Sequence, residues 1–182
     1  MLRPTNEPVW SSLREAAAAF CPPLEVTTER PGTLALSLHD PETGDELRLR
    51  YRSERGLFLR TYFLVADAEI RGAGPATPGR LVFRRRALRW TRPKPPDARR
   101  WSERLGSPEV LAALSGIPIE RLALDWEPAR ATWRVSLETL SGSLTVTFFP
   151  PLMTPNPLRR DEADAVVRAF GALRESSART PA

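Results

Sequence analysis

The chain has 182 residues and a net charge of +5, with 41% hydrophobic and 27% charged residues. That length suits one domain able to bury its own core, and the composition is that of a globular protein rather than a disordered chain. A single cysteine, Cys21, and a single histidine, His39, exclude an internal disulfide and a Cys/His zinc centre by count.

The opening "MLRPTNEPVW" has acid and proline where a signal peptide needs an apolar core. No apolar run approaches the roughly 20 residues of a membrane helix. A soluble, cytoplasmic, bacterial protein without a membrane span is therefore expected. Lys94 is the sole lysine among 27 basic residues, an arginine preference that a GC-rich genome explains without any function.

Glu7 and Pro8 suit a first helical turn, and Pro22-Pro23 ends the run, which predicts a helix over 7–21. Val9, Trp10, Leu13, Ala17 and Phe20 form its apolar stripe. "LEVTTE", "TLALSLH" and "ELRLRYR" then alternate with period two, as strands with one buried and one wet face do. Leu47, Leu49 and Tyr51 against Arg48, Arg50 and Arg52 is the cleanest case. "LFLRTYFLVA", 57–66, is apolar on both faces and reads as a central strand. "RGAGPATPGR", about 71–80, reads as a flexible loop between two halves.

The second half opens with "LVFRRRALRW" as a single strand carrying arginine on both faces, which suits a sheet edge. Two short helices follow within 97–115; Ser107 caps the second, Pro108 starts it and Gly116 ends it. "ERLALDWE", "TWRVSLE" and "SLTVTFF" give three more strands. A helix over 161–174 closes the domain, with Asp164 at the capping-box position and a disordered tail from about 176 to 182. The stretch from Thr33 to Arg52 echoes that from Thr132 to Pro150, so the halves are candidates for a duplicated unit, although hairpins draw on few turn residues.

The expected architecture is a single α+β domain over 1–182. It has an antiparallel sheet of seven or eight strands with helices packed mainly on one face. The element order is loosely similar to that of small bacterial secretion-chaperone folds, a likeness without matching motifs and without functional weight.

Little catalytic chemistry is written in the chain. "HDPETGDE" collects oxygen ligands, but it lacks the spacing of a calcium loop, and every residue in it is a turn former. Cys21 ends an apolar helix as a buried thiol would. No phosphate-binding glycine loop and no Gly-x-Ser-x-Gly nucleophile motif is present, and no cofactor is called for. Asp125, Glu127 and Glu138 leave room for an enzyme built on carboxylates, though cross-strand ion pairing is the simpler account and disfavours it.

The distinctive segment is 80–104, with ten basic residues against Asp97 and Glu103. Its local charge of +8 leaves the remaining chain at −3 of the total +5. Such a concentration is the footprint of a surface for acidic partners. The candidate binding residues are Arg84, Arg85, Arg86 and Arg89, then Arg92, Lys94, Arg99 and Arg100. Trp90 and Trp101, each set among basic residues, join them as faces on which a base, a sugar or an arginine can stack. The leading expectation is a non-enzymatic binding or assembly module. Its rival is a protein that binds phosphate or nucleic acid through 80–104. Candidate partners are an acidic protein, a phosphorylated ligand, nucleic acid or a second copy in a homodimer.

Overall fold

The computed structural model describes residues 7–91 and 94–178. In chain order the elements are α1 (Glu7–Ala18), β1 (Glu25–Arg30), β2 (Ala35–His39), β3 (Glu46–Arg55), β4 (Leu59–Arg71), β5 (Gly79–Arg84), β6 (Ala87–Trp90) and α2 (Ala98–Leu105). They continue as α3 (Pro108–Ser115), β7 (Ile119–Glu127), β8 (Thr132–Phe148), β9 (Pro151–Pro155) and α4 (Arg160–Ala178). The strands pair in the order β1-β2-β3-β4-β8-β7-β5-β6, with β9 added to β8. The class is α+β on an antiparallel sheet. Contacts place α1 on β2 and β3 and α2 on β6, and the four helices are not clearly gathered on one face.

The chain forms two compact units, residues 1–66 with 138–163 and residues 67–137 with 164–182. β4, β8 and α4 each contribute to both. The loop after β4 therefore lies inside the second unit rather than between the two.

In the first unit α1 buries Val9, Trp10, Leu13, Ala16 and Ala17, and Leu36, Leu38, Leu47 and Leu49 supply the facing layer from β2 and β3. The alternation anticipated over 47–51 holds, because only one face of β3 is buried. Arg52 reaches Glu138 on β8 with Nε donating to Oε2 at 2.7 Å, while its second arm bonds the other carboxylate oxygen. Glu162 starts α4: its Oε2 accepts from the Arg159 N–H at 3.0 Å and its Oε1 from Ser141 Oγ at 2.8 Å. The capping-box residue is thus Glu162 and not Asp164, because α4 begins at Arg160 and its cap is Arg159, two residues before the cap the periodicity indicates.

In the second unit Trp133 is 1% exposed, and the rings of Trp126, Trp90 and Trp101 lie 4.9, 6.1 and 6.2 Å from it. A buried indole needs an acceptor. Trp133 finds the Ala73 carbonyl and Trp126 the Pro75 carbonyl. The Ala73 N–H donates to Ser177 O and the Gly72 N–H to Ala131 O. Residues 72–78, expected to be a flexible loop, are therefore fastened to the tryptophan cluster. The tail expected from 176 is also helical at its start, with Ser176 and Ser177 buried in α4; residues 179–182 lie outside the described residues.

Three further differences have simple causes. The expected turn between two strands at Ser141-Gly142 does not reverse the chain: β8 runs through it, with Gly142 at φ +76 and its N–H on the Asn156 carbonyl. β9 escapes sequence reading because prolines mark both its ends. The segment 81–90 is a hairpin and not one strand, and that hairpin carries the candidate site.

Candidate acidic-partner surface

β5 and β6 pair antiparallel, with Leu81 opposite Trp90, Phe83 opposite Leu88 and Arg84 opposite Ala87. Only Arg85 and Arg86 remain for the turn, and both have left-handed backbones, at φ 51 and φ 61. Two positive φ values in a two-residue loop are the mirror-image turn that matches strand twist, a position usually filled by Asn-Gly. Side chains with a Cβ resist this conformation by roughly 1 kcal/mol or more each. Without Asn or Gly to signal a turn, the sequence pattern runs straight through it.

The hairpin has one dry face and one wet face. Leu81, Leu88 and Trp90 are buried, and the Trp90 indole N–H donates to the Ala98 carbonyl at 2.6 Å, joining β6 to α2. β6 ends the strand order, so this is a sheet edge as expected. Arg84, Arg85, Arg86 and Arg89 are exposed. Among the described residues, no carboxylate lies within 4.0 Å of any of the four.

The remaining candidates are placed differently. Arg80 meets Asp125 at 3.6 Å across the β5–β7 register. Arg99 pairs with Glu103 at 2.8 Å along α2, and that bond holds its guanidinium still more firmly protonated. Arg100 has a partner, and Lys94 is exposed. Arg92 lies outside the described residues. Trp90 and Trp101 cannot serve as stacking platforms for a base or a sugar, because both are buried. Trp101 donates to Asp97 Oδ2 at 2.6 Å, and the Arg104 guanidinium covers its ring at 4.8 Å. Arg104 also donates from Nε to the Ser176 carbonyl, near the end of α4. Of the described basic residues near these tryptophans in sequence, Arg104 is the one that stacks on a ring, that of Trp101, as the arginine option expected.

The acidic candidates are held by arginine. Glu127 accepts from Arg134 at 2.7 Å, Asp125 faces Arg80, and Glu138 is gripped by Arg52. Asp40 spends its carboxylate on its own turn, accepting from the Glu42 N–H at 2.9 Å and the Thr43 hydroxyl at 2.8 Å. Those bonds, the Thr43 hydroxyl first, hold its pKa below the usual carboxylate range. Among the described residues, no three His, Cys, Asp or Glu gather as metal ligands would. Cys21 is half-buried, and burial raises its thiol pKa, the opposite of an activated nucleophile. An open groove of about 610 Å³ between α3 and α4 has Ala112, Ala113, Gly116 and Gly171 along it, with Glu109, Glu175 and Arg168 beside them.

No described helix is long and apolar enough to cross a membrane. Residues 19–177 match the model of a family described as "Protein of unknown function (DUF3156)", and the chain belongs to that family. Neither a curated protein nor a solved structure gives a significant match.

Proposed function

We propose that the chain is a non-enzymatic binding module that engages an acidic protein surface through the β5–β6 hairpin. One observation carries this reading: Arg84, Arg85, Arg86 and Arg89 stand exposed on one hairpin with no carboxylate partner among the described residues. Arg80 at the other end of β5 and Arg134 on β8 are paired, whereas Arg121 on the adjacent β7 also stands exposed without an ion pair among the described residues. Guanidinium groups left in this way are suited to forked bonds with carboxylates or phosphates. The dry face of the hairpin is fixed by Leu81, Leu88 and Trp90, so the charges are presented on a rigid support.

Nucleic acid is the second reading, favoured by one feature. A two-stranded ribbon with arginine at its tip has the cross-section that a DNA major groove admits. The burial of Trp90 and Trp101 removes the base-stacking platform that single strands require, which leaves duplex as the form of nucleic acid to test.

Binding of the full chain to poly-glutamate, duplex DNA and inorganic phosphate, titrated against salt, separates these readings. Affinity for poly-glutamate at low ionic strength that falls with salt, and falls further in Arg85→Asn/Arg86→Gly, supports the proposal. Tighter binding to duplex DNA transfers it to nucleic acid. Absence of polyanion binding at low salt ends both.

A further inference from the structure

A second surface, in the first unit, has the opposite chemistry. The turn between β3 and β4 exposes Leu57, Phe58 and Leu59, and the turn between β8 and β9 exposes Phe148, Phe149, Leu152 and Met153. Leu57 is 86% exposed, Phe58 66% and Phe149 88%, and together they make a contiguous apolar cluster rather than scattered single side chains. The two turns form one tip: the Phe148 N–H donates to the Phe58 carbonyl at 2.9 Å, and Thr61 on β4 meets Thr145 on β8 hydroxyl to hydroxyl at 3.4 Å.

The tip is braced. Thr147 Oγ1 donates to the Pro150 carbonyl at 2.7 Å and accepts from the Leu152 N–H at 3.2 Å, which fixes the turn carrying Phe149. The Gly56 N–H donates to the Leu59 carbonyl at 2.9 Å, closing the other turn. The apolar side chains are thus displayed rather than free to fold back onto the unit.

The two turns carry arginine and no acid, and the nearest acid in sequence, Glu54, is paired with Arg52. Residues 140–158 contain no charged residue, and 55–60 contains Arg55 and Arg60 with no acid. Neither arginine has a carboxylate within 4.0 Å among the described residues; the Nε of Arg60 is buried without a hydrogen-bond partner, while its Nη1 donates to the Tyr62 hydroxyl at 3.4 Å. Large apolar side chains protruding beyond a collar of arginine complement an anionic bilayer: a hydrocarbon boundary beneath a layer of phosphates. A second copy adding a strand along β9 is opposed by its prolines, Pro151 and Pro155, which supply no N–H to a ladder.

We propose that this tip anchors the protein to an anionic membrane surface, inserting Leu57, Phe58 and Phe149 among the headgroups while Arg55 and Arg60 meet lipid phosphates. The occupant is a bilayer face, approached without any segment crossing it. This is independent of the acidic-protein reading, which uses the other unit.

Flotation of the full chain with phosphatidylcholine vesicles, with and without phosphatidylglycerol, tests the proposal. Binding is expected only to the anionic vesicles. It should fall roughly tenfold in Phe58→Ser and in Phe149→Ser, and below detection in the double variant. Both side chains are exposed, so circular dichroism melts of these variants should match the parent. Arg85→Asn/Arg86→Gly separates the two surfaces: if it abolishes vesicle binding while the phenylalanine variants bind normally, the basic hairpin is responsible and the proposal fails. It also fails if no vesicle is bound, or if the phenylalanine variants merely abolish a dimer seen by sedimentation.

Discussion

The Tyr51 hydroxyl donates a 2.8 Å hydrogen bond to the Gly142 carbonyl, 91 residues away in sequence, and accepts one from Ser12 Oγ at 3.0 Å. Burial is the main reason its pKa rises from 10.0 to about 12, since ionisation would place a phenolate inside the first unit. In the unfolded chain the phenol ionises near the ordinary value, so the unfolded state loses its proton first as pH rises. The stabilisation is therefore complete below pH 10 and is lost between pH 10 and about 12, amounting to about 3 kcal/mol from a shift of that size. Urea melts across this window should show a falling alkaline limb. Tyr51→Phe should flatten the limb while lowering stability by about 1 kcal/mol at neutral pH.

Arg52 and Glu138 give a sharper mutational signature. Glu138 is buried, Arg52 is mostly covered, and the guanidinium lies 5.0 Å over the Phe63 ring as well as on the carboxylate. The Glu138 bond is the first reason Arg52 is held protonated more firmly than usual. Arg52→Met leaves a buried carboxylate without its partner and should cost about 3 kcal/mol. Removing both charges in Arg52→Met/Glu138→Leu should recover most of that loss, because the desolvation of both ions disappears with the pair. A double-mutant cycle by denaturant melts reads the coupling directly.

Legibility followed periodicity and failed at turns. Leu47, Leu49 and Tyr51 announced β3 because one face is buried and the other wet, and Ser107-Pro108 announced α3 because a cap followed by proline has one local meaning. Arg85-Arg86 announced nothing, since the conformation forced on them by the pairing of β5 with β6 is one their side chains disfavour. The expectation that Trp90 is an exposed platform shares that origin. Missing the turn hides the fact that Trp90 returns to the buried face opposite Leu81. One parallel is clearer in the structure than in the sequence. Pro31–Thr33 and Pro128–Arg130 are both 3-10 turns that begin with proline and are closed by a left-handed residue, Leu34 and Ala131, each at φ 48. That likeness supports the echo between the two halves without establishing a duplication.

Gly74 shows how the loop after β4 is held. A Cβ placed there would lie 2.3 Å from Cε2 of Trp126, so the backbone rests against the indole. Gly74→Ala must displace the ring, disturbing its packing on Trp133 and its bond to the Pro75 carbonyl. The expected cost is about 2–3 kcal/mol, by overpacking and a lost buried hydrogen bond. Near-ultraviolet circular dichroism should lose the signature of coupled indoles. An unchanged spectrum and melt would mean that residues 72–78 are as free as their glycine and proline content suggests.

Arg85→Asn/Arg86→Gly separates what the hairpin does for the fold from what it does for a partner. Asn-Gly is the favoured filling of a turn with two positive φ values, so the variant should be more stable than the parent by about 1 kcal/mol. The same change removes two of the hairpin's four exposed guanidinium groups, none of which has a carboxylate partner among the described residues, and it should weaken polyanion binding and its salt dependence together. A purely structural role for the pair predicts that stability and binding move in the same direction. Opposite movement, with thermal melts rising while affinity falls, identifies the two arginines as residues kept for contact with a partner at the expense of the turn they occupy.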